Sequence, residues 1–293
     1  MARYSIRELE KLSGIKAHTI RIWEKRYNVI QPKRTNTNIR YYSEADLKKL
    51  LNIAILNRQG WKISEIARLG NDDLTDKVMK FTYNSRDVES QIEKLVIAMV
   101  DLDEAKFDHI LSNAIMHDGF EQTIIKMIFP FFEKIGLLWQ TGSINPAQEH
   151  FISNLFRQKL MVAIDNLMIP DKKDAHKFVL FLPEDEFHEL GLLFYNYLIK
   201  KAGHSVIYLG SSVPFKDLVE THQMIQADYL FTSITTVLNG ERLINYIREL
   251  ATAFPKQEIF ITGMKVFEIN ESLPANVERI SSPMTFNKRL QTF

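Results

Sequence analysis

From residue 178 onward the sequence alternates between two periods, and few folds accommodate both. Short apolar runs at Phe178–Leu182, Ser205–Leu209, Tyr229–Ile234, Glu258–Thr262 and, less marked, Val277–Ile280 are separated by helical patterns. The helical patterns cover His188–Ala202, Pro214–Ile225, Leu238–Ala253 and a short stretch around Lys265. Strand–helix alternation of this kind predicts a parallel, doubly wound sheet of the flavodoxin-like class. Open sheets of this type place ligands outside the carboxyl ends of their strands, where the strand order reverses. Three small or polar turns fall there: Glu186-Phe187-His188-Glu189-Leu190-Gly191 after the first strand, Ser233-Ile234-Thr235 after the third, and Thr262-Gly263 after the fourth. They predict a ligand crevice at one sheet edge.

Upstream, the strand period disappears. Four apolar stripes follow one another: Ile92, Leu95, Val96, Met99; Phe107, Ile110, Leu111, Ile115; Ile124, Ile128, Phe131, Phe132, Ile135; and Phe151, Leu155, Leu160, Ile164. Their spacing predicts a four-helix bundle. The acidic stretch Asn71–Asp76 reads as a boundary before it, and Pro170–Lys177 as a linker after it. The chain therefore divides into residues 1–75, 80–170 and 175–293, a multidomain α and α/β protein.

A near-neutral total hides an uneven charge distribution. Residues 1–70 hold 15 Lys and Arg against 6 Asp and Glu, whereas residues 71–170 hold 9 against 15. A basic head on a neutral body points to a nucleic-acid partner. Cysteine is absent, which excludes disulfides, thiolate catalysis and cysteine-ligated metals. The longest apolar stretch, Ile124–Trp139, is interrupted by Lys126, Glu133 and Lys134, so no membrane span is expected. Met1-Ala2-Arg3-Tyr4 leads straight into a helical pattern, so no signal peptide is expected, and the cytoplasm is the expected compartment.

The basic head has a recognisable order. Ser5 and Glu8 form a capping box ahead of Ile6, Leu9 and Leu12, and Ser13-Gly14 breaks that helix. A second helix, Lys16–Arg26, presents His18, Thr19, Arg21, Lys25 and Arg26, a set suited to phosphates and base edges. Lys33, Arg34, Arg40 and Tyr41 lie in a stretch that reads as a two-stranded wing, and Ser43 caps a helix over Glu44–Asn57, followed by a short one over Ile63–Leu69. Thr19 to Tyr27, Pro32-Lys33-Arg34, and Arg40-Tyr41-Tyr42-Ser43 with Asp46 and Leu50 resemble the winged helix-turn-helix domain of MerR-type transcription regulators. The resemblance implies double-stranded operator DNA as the partner. Asn38 stands where the wing turn of that family usually has Gly, and Asn tolerates positive φ.

Within the bundle, Trp139 is followed after nine residues by Glu149-His150, across a loop carrying Gly142, Asn145 and Pro146. This pattern resembles the helical caps that cover the upper face of cobalamin, which implies that Trp139, Glu149 and His150 line the space above the corrin. The three turns of the last segment resemble the Asp-x-His-x-x-Gly, Ser-x-Leu and Gly-Gly motifs of the cobalamin-binding domain shared by corrinoid mutases and methionine synthase. By that resemblance His188 is the lower axial ligand to cobalt, Glu186 orients its imidazole, and Gly191, Ser233, Thr235 and Gly263 face the nucleotide tail. Glu186 replaces Asp, one methylene longer and still able to orient the imidazole; Thr235 replaces an apolar residue and Thr262 a glycine, and these two departures predict a tighter tail tunnel.

A MerR-like head, a helical cap and a cobalamin domain in one chain resemble the CarH/LitR-type regulators. The resemblance implies a non-enzymatic, adenosylcobalamin-controlled transcription regulator, a light-responsive repressor that assembles as a dimer or tetramer. Light-sensing relatives place a second His directly after the cap Trp, where this chain has Gln140, so a bis-histidine photoproduct is not expected there. Two alternatives stay open: a degenerate corrinoid pocket serving another ligand, and a corrinoid methyl-carrier module fused to a DNA binder.

Overall fold

The computed structural model describes residues 3–35, 38–82, 87–140, 145–168 and 172–293. It comprises two compact units, Met1–Ser153 and Asn154–Phe293.

The first unit begins with two capped helices. Ser5 accepts from the Glu8 amide at 3.3 Å and closes the capping box on α1 (Ile6–Ser13). Gly14, at φ 68°, ends that helix in a left-handed cap, and α2 (Ala17–Tyr27) ends the same way at Asn28, φ 52°. Strands β1 (Lys33–Arg34) and β2 (Arg40–Tyr41) pair antiparallel as the wing. Asn38 sits at φ 64° in the turn, the conformation for which the wing needs Gly or Asn. Tyr4 and Tyr42 exchange backbone hydrogen bonds at 2.9 and 2.8 Å, and both rings are buried. Ser43 and Asp46 form a second capping box on α3 (Glu44–Arg58), and α4 (Ile63–Ile66) follows.

The acidic stretch read as a boundary is instead the start of helix α5 (Asn71–Thr82). Its Asp72 and Asp73 occupy the first turn, where carboxylates are favoured by the positive end of the helix dipole. The bundle then comprises α6 (Val88–Asp101), α7 (Glu104–Asp118), α8 (Phe120–Thr123), a π-helical turn over Ile124–Ile128, α9 (Phe129–Gln140) and α10 (Pro146–Asp165). The wide turn precedes Pro130, which has no N–H to donate one turn back and whose ring would crowd a regular α-turn.

One buried charge connects head and bundle inside this unit. Glu93 on α6 is fully buried, and the Arg58 guanidinium at the end of α3 donates to its Oε2. Its other oxygen, Oε1, has no hydrogen-bond partner. Burial pushes this carboxyl up to about 8, against the opposing pull of Arg58.

In the second unit five parallel strands form one sheet in the order β4-β3-β5-β6-β7: β3 (Lys177–Pro183), β4 (Ser205–Val213), β5 (Tyr229–Ser233), β6 (Glu258–Thr262) and β7 (Val277–Arg279). Counted within the unit this is the flavodoxin-like order 2-1-3-4-5. Five helices accompany them: α11 (Leu190–Lys201), α12 (Phe215–Ile225), α13 (Gly240–Ala253), the short α14 (Met264–Phe267) and α15 (Pro283–Leu290). Val179, Phe181, Leu230 and Ile261 pack with Leu218 of α12 and Leu243 and Ile247 of α13. The other side is aromatic, with Tyr195 of α11 4.4 Å from Phe231 and Phe286 of α15 4.9 Å from it, ring centre to ring centre. Helices on both faces explain why the central strands read as unbroken apolar runs. Helix α15 was not anticipated; its apolar positions are too few to show a period, although Ser282 caps it and Pro283 occupies its first turn.

The Glu93 carboxyl gives a pH test of the first unit. An unfolded Glu titrates near 4.5 and the folded group near 8, so between those values the folded state holds the extra proton. Stability is therefore full below about pH 4.5 and falls as pH rises toward 8. Urea denaturation of the wild type and Glu93→Gln across this range should show the variant gaining a few kcal/mol relative to the wild type; parallel pH profiles would exclude the assignment.

Candidate functional site

The carboxyl edge of the sheet is where the strand order reverses, between β3 and β5. Strand β4 is bulged against β3 beyond Leu180, with Gly210 at φ 81° and Ser212 at φ 54°. The bulges bend its end over the loop that follows β3. Ser212 Oγ accepts from the Asp185 amide at 3.1 Å, and the Ser212 amide donates to the Glu186 carbonyl at 3.1 Å. His188 was placed at a helix start, but α11 begins only at Leu190. The backbone is diverted into local bonds instead: the His188 amide donates to Glu186 Oε1 at 3.2 Å and the Glu189 amide to the Phe187 carbonyl at 2.9 Å.

Glu186 is the centre of this edge, although its side chain is fully buried. Its Oε2 accepts from the amides of Thr235 at 2.9 Å, Thr236 at 2.7 Å and Val237 at 3.4 Å. Its Oε1 accepts from Thr236 Oγ1 at 3.1 Å and lies 2.6 Å from His188 Nδ1. Burial alone pushes such a carboxyl up. Here the bonds from His188, Thr236 and Thr235 outweigh burial and hold Glu186 at about 2. A carboxylate that stays ionised fixes the imidazole through Nδ1, which leaves Nε2 as the nitrogen directed to any metal. The His188 side chain is 60% exposed and its neighbour Phe187 is 63% exposed. Imidazole at an exposed apolar edge, backed by a buried carboxylate, is suited to nitrogen ligation of cobalt.

The remaining predicted positions divide by what requires them. Ser233 is buried at the end of β5, in register with Thr262 of β6. Thr235 reaches Glu186 through its backbone. Gly263, at φ 102°, lies so close to β5 that a Cβ would come within 2.4 Å of the Ile234 carbonyl oxygen. The fold itself accounts for that glycine. Gly191 differs: its φ is not positive and a Cβ there would meet nothing within 4 Å. No contact inside the chain requires glycine at 191, which fits close approach by something outside the chain. Thr262 Oγ1 donates to the Ile280 carbonyl at 3.0 Å and is also bonded to Tyr195, so the Thr262 hydroxyl is committed within the fold. Thr236 was missed by sequence; the only available signal was a second hydroxyl residue directly after Thr235.

In the first unit, His18, Arg21, Lys25 and Arg26 of α2 are exposed, Thr19 is half-buried, and Ile20 and Trp23 turn into the core. On the wing, Lys33, Arg34 and Arg40 are exposed. Arg34 donates across the turn to Asn38 Oδ1 at 2.6 Å, and Arg40 lies 3.9 Å from Glu24, tying wing to helix. Tyr41 is half-buried beneath Arg3, whose guanidinium sits 4.8 Å from the ring centre, a cation that the sequence did not single out. Trp139 is the penultimate residue of α9, and its side chain, with that of Gln140, lies outside the described residues, as does Gly142. Glu149 stands in the first turn of α10, accepts from Ser153 Oγ at 2.5 Å and lies 3.0 Å from His150 Nδ1; His150 is exposed.

Comparison with known proteins bears on the head and on the helical bundle. Residues 4–72 match the MerR HTH family regulatory protein family and residues 91–163 match the B12 binding domain family. The HTH-type transcriptional repressor CarH of Myxococcus xanthus is 26% identical over 86% of this chain and 86% of its own length. The HTH-type transcriptional repressor CarA of the same organism is 22% identical over 88% of this chain and 86% of its own. The monomethylamine corrinoid protein of Methanosarcina barkeri, 17% identical, superposes on 70% of this chain and 99% of its own with a TM-score of 0.54, a likeness of fold. Among the described residues no helix is long and apolar enough to cross a membrane.

The close approach at Gly263 sets a test of how the edge is held. Gly263→Ala adds a Cβ against the Ile234 backbone at a φ that only glycine adopts freely. It should cost about 3 kcal/mol or more in urea denaturation, with Gly191→Ala nearly neutral beside it. Equal effects at the two positions would contradict the division drawn above.

Proposed function

We propose that this chain, a MerR-type helix-turn-helix regulator carrying a B12 binding domain, binds operator DNA through residues 4–72 and lets cobalamin set that binding. The observation that carries the cofactor half is the 2.6 Å pair of His188 Nδ1 and buried Glu186. A lone imidazole holds a metal well only when the other ligands arrive with it, as they do in a corrin ring. His188 would be the protein's ligand to cobalt through Nε2. Glu186 would hold Nδ1 and fix the ring's orientation, leaving Nε2 for the metal, and Gly191 would admit the nucleotide tail beside the backbone. Trp139, Glu149 and His150 would close over the opposite face, by the resemblance of their spacing to cobalamin caps. The form proposed is adenosylcobalamin, whose cobalt–carbon bond supplies light sensitivity when it is bound.

At the head, Arg21, Lys25 and Arg26 of α2, with Lys33, Arg34 and Arg40 on the wing, meet phosphates, while His18 and Thr19 reach base edges and Tyr41 supports the wing. The chain acts by binding rather than by turnover. Cofactor and DNA are linked only as far as cobalamin prefers the DNA-competent state: each 1.4 kcal/mol of preference is worth about tenfold in operator affinity. Two relatives are repressors by name, and repression by a cofactor-assembled homo-oligomer, dimer or tetramer, is the mode proposed here. The cytoplasm is the compartment in which such a regulator meets its operator. One observation favours the competing reading, a pocket given over to a different ligand: Tyr195 packs 4.4 Å from Phe231 and bonds Thr262 on the side assigned to the nucleotide tail.

Purified apoprotein incubated with adenosylcobalamin in the dark, freed of excess cofactor, should keep a corrinoid spectrum that changes on illumination. His188→Ala should lose the cofactor or shift its spectrum. Retention without photochemical change would leave a cobalamin sensor that does not read light. No retention would remove cobalamin and favour the competing ligand.

The DNA interface has a separate readout. Neutralising any one of Arg21, Lys25, Lys33, Arg34 or Arg40 should reduce the salt dependence of operator binding by about one counterion. An unchanged slope for all five would displace the interface from α2 and the wing.

A further inference from the structure

A cavity of about 600 Å³ lies within the first unit. Its walls include Lys49 on α3, Leu74 and Val78 on α5, Ile97 on α6, Ile110 on α7 and Met127 in the π-helical turn. It opens to solvent past exposed Ala45, Asn71 and Lys126, and its volume is in the range of small-molecule sites. Its lining is chemically divided. The apolar part includes Ala114 beside Leu74, Val78, Ile97, Ile110 and Met127. The polar part holds five lysines, Lys48, Lys49, Lys94, Lys106 and Lys126, against Asp101, Asp103 and Asp118, with His109 and His117 at the same wall.

Two of the three aspartates are already engaged. Asp101 is paired with Lys48. Asp103 is turned to the backbone, where it caps α7 by accepting from the Lys106 amide at 2.9 Å. Lys94 lies half-buried in the wall, and burial together with the charge of Lys106 lowers it to about 8. An anion in the cavity would relieve both effects, since opposite charge favours the protonated amine.

We infer that this cavity is a second ligand site, for an amphipathic organic anion carrying one carboxylate or phosphate on an apolar body. The head group would meet Lys94 and Lys106, and the body would lie along Leu74, Val78, Ile97 and Ile110. Because α3 belongs to the winged domain while α6 and α7 open the bundle, an occupant would touch both. The inference does not depend on cobalamin binding, and its test is made without cobalamin.

Decanoate titrated calorimetrically into the full-length apoprotein should saturate one site per chain, and decanol should bind about tenfold more weakly or less. Lys94→Gln with Lys106→Gln should weaken decanoate about tenfold and leave decanol unchanged. Ala114→Phe, which fills the cavity, should abolish both. If circular dichroism shows the double variant unfolded, Lys126→Gln alone should still weaken decanoate several-fold against an unchanged decanol. Absence of saturable decanoate binding, equal affinity for decanol, or a folded lysine variant that binds decanoate like the wild type would each overturn the site.

Discussion

A buried carboxylate must be given hydrogen bonds or lose its charge, and the sheet edge is built around that requirement at Glu186. Its oxygens take the amides of Thr235, Thr236 and Val237, the Thr236 hydroxyl and two groups of His188. These donors belong to two loops that leave adjacent strands, β3 and β5. The Ser212 amide, at the bulged end of β4, bonds the carbonyl of the same residue. One residue, through its side chain and its carbonyl, thus fixes three strand ends relative to one another, and its carboxylate also sets which imidazole nitrogen His188 offers. Glutamate in place of aspartate is used rather than merely tolerated: the additional methylene carries the carboxyl from the β3 loop to the amides after β5.

The two glycines of this edge show how the same residue can answer different demands. Gly263 is held by the protein's own backbone, at φ 102° and against Ile234. Gly191 has ordinary backbone geometry and open space where a Cβ would stand. It lies three residues from His188, and nothing in the fold requires it to be glycine.

The first unit uses charge differently. Its helix ends are closed by side-chain caps at Ser5, Ser43, Asp87 and Asp103. Glu93, by contrast, is buried with Arg58 as its partner and one oxygen unpartnered, a costly arrangement that ties α3 to α6. A buried carboxyl whose titration is raised, in place of continuous apolar packing, makes this junction one whose stability depends on protonation. A regulator needs such a junction, because binding at one part alters another only through contacts that differ between states.

Much of the architecture was written in the sequence, because period and capping are local properties. The capping boxes at Ser5 and Ser43, the positive-φ Asn38, the four bundle stripes and the alternation of strands and helices each rest on residues a few positions apart. Tertiary structure decided the rest. Asn71–Asp76 looked like a boundary because acidic residues are common in both loops and first helical turns, and only packing distinguishes the two. The helical pattern at His188 gave way to a loop because Glu186 offered its amide a nearer acceptor. Thr236, Arg3 and the lysine-lined cavity were invisible for one reason: each is defined by partners far away in the chain, and no local pattern encodes which distant loop will supply a hydrogen bond or which helices will leave a space between them.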